Sequence, residues 1–382
     1  MSKKNLKKLL AIQSAALSGR LEQLAPVLKK VVLVAQDAAP SGCFELLEPV
    51  LKEQGFRTEL FIGRSKPFEK TEDEIDLEVM DASIVIIGMS SSKELAKLEI
   101  SAGSSALQLG IPYGFYGDVP SCWGRARAGS WFEDLASIAS FYFAIDQQDA
   151  DNAREVFPLA QCIATGNPLR EEMAFPKFTR EEVRKKLDIT PNEKLVLAPG
   201  DKFAGGNMAM WSMTIDALTL LQEDKPEQKF QLILTTHPGD RTPQALYDEL
   251  VSFSPIPARI INKDVFSSSD IVPGADVIVG AGGSICIEGV CQLIPVICLD
   301  TEVMMGMLEK INGSRKIEVV ANGSAKLANG ISLALTIDRM LNDNWTRLYT
   351  QNHQRKFYPK PTERGVALRR MTEFIVEYCK VD

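Results

Sequence analysis

Short apolar runs alternating with amphipathic stretches constrain this chain most. Val31-Val32-Leu33-Val34-Ala35 has the composition of a buried strand, and after a loop over Ala38–Gly42 a helical pattern starts near Cys43. Further strands are expected at Thr58–Ile62, Ile84–Ile87, Tyr113–Tyr116, Phe141–Ile145 and Gln161–Ala164, with a helix over residues 93–109. Such strands read as continuous apolar runs because both sheet faces are covered, and intervening helices make the pairing parallel. At Thr165-Gly166-Asn167-Pro168 regular structure breaks. The alternation then resumes, with strands at Leu195–Ala198, Phe230–Leu234, Ala258–Ile261, Asp276–Val279 and Pro295–Leu299. Helices are expected near 179–187 and over residues 206–221, 243–251, 284–292 and 302–310, and beyond about Lys326 the pattern is helical, ending in Gly365–Tyr378.

This predicts an α/β fold of two Rossmann-like parallel-sheet halves. The first spans residues 1–165 and the second 166–345, with helices over 346–382 returning to the first. Residues 3–28 are expected to form an amphipathic helix that fits core packing, with a membrane or partner contact as the alternative.

Composition narrows the function. The 382 residues are 45% hydrophobic and 24% charged, as in a globular protein, with a net charge of -7. A nucleic-acid binder carries a basic excess, so nucleic acid is excluded as a dedicated partner. Seven cysteines without a CxxC pair read as reduced thiols of a cytoplasmic chain. Two histidines argue against a His-based metal site. No apolar run reaches the roughly 18–20 residues that span a bilayer, which leaves peripheral contact with the inner membrane face open.

The strongest local signal is Val279-Gly280-Ala281-Gly282-Gly283-Ser284, a strand running into a glycine-rich turn and a helix start. Glycines admit a ligand close to the backbone, and the helix N-terminus suits a phosphate. Glu288, one turn further, can accept from ribose hydroxyls; the bland alternative is a tight turn with a solvated Glu288. A second loop, Pro199 to Asn207, carries Gly200, Lys202, Gly205 and Gly206, with Lys202 placed to neutralise a diphosphate. Its bland alternative is a surface loop. Thr236-His237-Pro238-Gly239-Asp240-Arg241 follows a strand. His237 there is a ligand contact or a structural turn, and Arg241 is a further phosphate candidate. In the first half, Gln36 to Gly42 and Gly88 to Ser92 follow strands, where ligands gather in parallel sheets. Ser91 or Ser92 fits a helix cap. Tyr113 to Arg125 reads either as a sugar- or acceptor-facing loop or as a packed loop anchored by Trp123. Asp37 and Asp118 are the candidate general bases.

From Thr165 onward the chain resembles the donor-binding half of GT-B glycosyltransferases and the UDP-N-acetylglucosamine 2-epimerases. The resemblance rests on Thr165-Gly166-Asn167-Pro168 and on the spacing of Gly282, Glu288 and Pro295. It implies two lobes facing each other across a cleft, with diphosphate held by the Gly282, Gly283 and Ser284 amides and ribose by Glu288. It further implies a metal-independent enzyme without a cofactor, using a UDP-linked sugar donor and a glycan or lipid-linked acceptor in surface glycan or glycoconjugate synthesis. The expected activity is glycosyl transfer; alternatives are a nucleotide-sugar 2-epimerase or hydrolase, or a non-catalytic ligand-binding relative. The epimerase pattern departs at Met89, where that family has an aspartate, and at Gly200-Asp201-Lys202, where it has a His-Arg-Arg-Glu-Asn loop.

Overall fold

The computed structural model describes residues 29–63, 71–201, 206–237, 240, 242–261, 265–312 and 315–380, without the side chains of 307, 308 and 310–312. The helix expected over residues 3–28 lies outside them. The chain divides into two compact units, one running to Leu169 and joined by the segment from Gly365, the other spanning Arg170–Arg364.

The first unit holds β1 (Lys30–Ala35), β2 (Arg57–Ile62), β3 (Ile84–Gly88), β4 (Tyr113–Tyr116), β5 (Phe141–Ala144) and β6 (Gln161–Ala164). They form one parallel sheet in the order β2-β1-β3-β4-β5-β6. Side chains alternate across β1 as the two-residue period of a strand requires. Val32 and Val34 join one core with Phe115 and Phe157, whereas Val31, Leu33 and Ala35 join the other with Phe44 and Leu47. The C-terminal helix Val366–Tyr378 places Met371 and Ile375 in that second core.

The second unit holds β7 (Glu193–Pro199), β8 (Lys229–Thr235), β9 (Ala258–Ile261), β10 (Val277–Gly280), β11 (Val296–Leu299) and β12 (Lys326–Ala328). Its sheet is also parallel, in the order β12-β11-β10-β7-β8-β9. Again both faces are covered: Val196 and Ala198 face Trp211 and Leu218, and Leu195 and Leu197 face Val183 and Ile271.

Three details differ from the sequence expectation. Residues 38–42 are not a loop, because the helix Ala38–Glu53 starts directly after Asp37. Pro40 falls in its first turn, where a missing N–H costs nothing. Lys326–Ala328 is a strand at the edge of the second sheet, too short to show a period in sequence. The helix Asn344–Phe357, expected among the returning helices, packs within the second unit, and the return follows Arg364. All seven cysteines are free thiols.

Candidate functional site

In each sheet the crossovers change direction between two neighbouring strands, the place where open α/β sheets generally take their ligands. The first unit reverses between β1 and β3 and the second between β7 and β10.

At the first reversal, three carboxylates gather. Glu99 lies on the buried stripe of helix Lys97–Leu109, in line with Ala102, Gly103 and Ala106. It accepts the Gln36 amide at 3.0 Å, the Ser90 amide at 2.9 Å and the Ser90 hydroxyl at 2.7 Å. Ser90 Oγ in turn accepts the Asp37 amide at 3.1 Å, and Asp37 Oδ2 accepts the Ser91 amide at 2.7 Å. The loops after β1 and β3 are thus stapled through one buried side chain. Gly88 is the crossing point: a Cβ there would stand 2.9 Å from Ala35 Cβ and 3.1 Å from Glu99 Oε1. Burial pushes the Glu99 carboxyl up to about 8, against the donors from Ser90 and Gln36.

Asp118 follows β4 and is 7% exposed. Its carboxylate lies 3.9 Å from Arg125, which also donates to the Met89 carbonyl. Asn167 donates to the Asp118 carbonyl at 2.7 Å, so the Thr165–Pro168 turn fixes this residue from the end of β6. Burial raises the Asp118 carboxyl above the ordinary range; Arg125 opposes this and the charge of Asp37 adds to it. Asp37 and Asp118, proposed separately from sequence, therefore share one electrostatic neighbourhood.

Trp123 resolves as a packed anchor rather than an open sugar platform. Its indole N–H donates to Asp149 at 3.0 Å, and Asp149 also accepts the Ser121 amide at 2.8 Å. Neither Ser91 nor Ser92 caps the helix, which starts at Lys97 after Ala96 with no side-chain cap; Ser92 instead accepts the Leu95 amide at 3.3 Å in the turn before it.

At the second reversal glycine turns lead into a helix start, with the Asp201 carboxylate beside them. Gly282 has φ of +90°, and a Cβ on it would stand 2.5 Å from Ile317 Cγ2. Only glycine meets both conditions. Gly283 is the N-cap residue of helix Ser284–Cys291, and both it and Ser284 are exposed. The first amides of this helix have no partner within the helix itself, and they carry its positive dipole end. The loop after β7 meets this turn, since a Cβ on Gly283 would lie 3.8 Å from Asp201 Oδ2. Gly200 also needs its size, because a Cβ would stand 2.9 Å from the Thr235 carbonyl oxygen.

Glu288 is 7% exposed, which removes the solvated alternative. Gln292 donates to its carboxylate at 3.3 Å. Burial raises this group to about 7, while a hydrogen bond from Ser269 lowers it. Ser268, beside Ser269, bonds Thr235 at the end of β8 at 2.7 Å. His237 is exposed at the end of β8, and its carbonyl accepts the Asp240 amide at 2.9 Å. Gly206 begins helix Gly206–Asp224. Lys202, Gly205 and Arg241 lie outside the described residues.

Sequence reasoning missed two side chains that organise these loops. Asn207 is fully buried, accepts the Asp201 amide at 2.7 Å and donates to Asp240 at 2.7 Å. Tyr247 donates to the same Asp240 oxygen at 2.6 Å. Glu99 is the other. Both were detectable as polar residues in the apolar stripe of a helix, a placement that demands a buried partner. Among the described residues, no group of three His, Cys, Asp or Glu side chains is arranged to hold a metal ion.

Two doubly wound sheets with these reversals define the GT-B class of fold, and solved structures share it along nearly the whole chain. A UDP-GlcNAc 2-epimerase from Neisseria meningitidis, solved with UDP-GlcNAc bound, matches with a TM-score of 0.60 at 13% identity, covering 91% of this chain and 100% of its own. A glycosyltransferase from Rickettsia africae ESF-5 matches with a TM-score of 0.58 at 14% identity, covering 94% and 100%. The UDP-GlcNAc 2-epimerase of Methanocaldococcus jannaschii matches with a TM-score of 0.58 at 14% identity, covering 91% and 99%. No family model and no curated protein matches the chain.

Proposed function

We propose that the protein is a glycosyltransferase that takes a UDP-linked sugar as donor and needs no metal ion, acting in surface glycan or glycoconjugate synthesis. The observation that carries this is the Gly282 turn. Its positive φ and the approach of Ile317 exclude a side chain, and it leads into a helix whose exposed start, Gly283 and Ser284, lies beside the Gly200–Asp201 loop. Such an arrangement neutralises a leaving diphosphate through fixed dipoles. Glu288, buried one turn further, is assigned to the ribose hydroxyls.

In the transfer, the acceptor hydroxyl oxygen bonds the anomeric carbon as the bond from that carbon to the diphosphate oxygen breaks. The hydroxyl proton passes to a carboxylate, and Asp118 is the group we assign. Burial raises its affinity for a proton, which suits a base working near neutral pH. Asp37 supports it through its charge.

A second reading, 2-epimerisation of the nucleotide sugar, is favoured by the epimerases among the structural neighbours. It is disfavoured by Met89, whose thioether cannot exchange a proton where the epimerases have an aspartate. Release of UDP from UDP-sugars separates the two. Transfer requires an acceptor hydroxyl for sustained release, and Asp118→Asn should lower that rate at least about a hundredfold with UDP affinity unchanged. Conversion of UDP-GlcNAc to its 2-epimer without acceptor would favour the second reading.

A further inference from the structure

The second unit carries an exposed ladder of aromatic rings that the proposed chemistry does not use. Trp345, Tyr349, His353 and Phe357 stand at successive turns of helix Asn344–Phe357. Their ring centroids are 5.4, 4.7 and 6.2 Å apart along the row. Trp345 is 73% exposed, and Leu348 beside it 52%. Among the described residues, Trp345 is much the most exposed tryptophan; Trp123 and Trp211 are buried.

The helix that bears the ladder is cationic along its length, with one carboxylate, Asp343, at its N-cap beneath Trp345. Residues 344–361 contain Arg347, Arg355, Lys356 and Lys360 and no carboxylate, in a protein of net charge -7. Cations sit directly on the rings: Lys326 lies 5.0 Å from the Tyr349 centroid and Lys356 lies 4.9 Å from that of Phe357. None of these cations takes part in the ion pairs found among the described residues.

We propose that this helix face docks on the surface of an anionic lipid bilayer. Aromatic rings favour the headgroup layer, where an apolar body and a polar edge are both satisfied, and interleaved Lys and Arg meet lipid phosphates. The contact is peripheral, because no helix among the described residues is long and apolar enough to cross a membrane. A second copy of the chain fits less well: a two-fold contact would set this cationic patch against itself, and interface cores are depleted of charge. A glycan fits less well too, since neighbouring rings in the ladder cover one another's faces, with Trp345 and Tyr349 only 15° from parallel. The proposal is independent of the nucleotide-sugar reading.

The test is co-sedimentation of the full chain with vesicles of phosphatidylcholine alone or with about a quarter phosphatidylglycerol. The protein should pellet with the anionic vesicles, release in roughly 0.5 M salt, and ignore the neutral ones. Trp345 emission should shift to the blue on binding, and Trp345→Phe should remove that shift. Arg355→Glu with Lys356→Glu, both exposed, should weaken partitioning at least about tenfold without altering the melting temperature. Indifference of the wild type to anionic vesicles, or partitioning that survives the double charge reversal, overturns the proposal. So does a dimer in light scattering that Trp345→Ala converts to monomer.

Discussion

The two units answer the same topological opportunity with different residues. Each sheet reverses its winding between two central strands. The reversal of the first unit is lined by Asp37, Glu99 and Asp118, with Arg125 the counter-charge. That of the second is lined by Gly200, Gly282 and Gly283 and by the start of a helix. Burial raises carboxyl proton affinity at Glu99 and Asp118 in the first and at Glu288 in the second, and the second adds glycine turns and the positive dipole end of a helix. Topology supplies the crevice, and local residue choice decides what it holds.

This contrast can be broken at three places. Glu99→Ala carries the largest expected effect, because two buried amides and a hydroxyl lose their acceptor at once. A loss on the order of 3 kcal/mol is expected in denaturant unfolding of the first unit, with nucleotide affinity retained. A mild loss, within about 0.5 kcal/mol, would mean that the loops after β1 and β3 hold themselves without Glu99.

Glu288→Gln probes the second reversal through pH. The Glu288 carboxyl is raised to about 7 in the folded protein from an ordinary 4.5. The unfolded chain therefore loses its proton first. The stabilising contribution is complete below pH 4.5 and is lost as pH rises towards about 7. The Gln variant should flatten that fall, by roughly 2–3 kcal/mol across the window. Glu288→Ala should also weaken UDP binding about tenfold in calorimetry, the loss of a charge-assisted hydrogen bond. Unchanged UDP affinity would detach Glu288 from the ribose.

The smallest effect belongs to Asn207→Ala. Its side chain ties the Asp201 backbone to Asp240 and donates to the Tyr247 hydroxyl at 3.3 Å. A loss of about 1–2 kcal/mol is expected, read as weaker UDP binding and a lower melting temperature together. An intact affinity would show that the loop needs no tether.

Much of this was legible in the chain. Eleven of the twelve strands were readable, the central ones as apolar runs because both of their faces are covered and the edge strands from shorter apolar stretches. The Lys326–Ala328 edge strand escaped because three residues show no period. Asp37 and Asp118 were legible only as polar residues after strands. Their shared surroundings depend on residues far apart in sequence: Asn167 reaches Asp118 across 49 positions, and Ser91 reaches Asp37 across 54. Glu99 and Asn207 show in the sequence only as polar residues on the apolar stripe of a helix; their partners appear when those helices are docked.

The sequence by itself determined the two parallel sheets, the break at Thr165–Pro168 and the need for glycine at a strand-to-helix turn. Those are local consequences of period, backbone freedom and missing donors. Only the tertiary structure decided that Gly282 is wedged against Ile317, that Glu288 is buried rather than solvated, and that one carboxylate staples two loops. A side chain's burial and its partners are set by segments distant along the chain, and proton affinity follows from burial and partners.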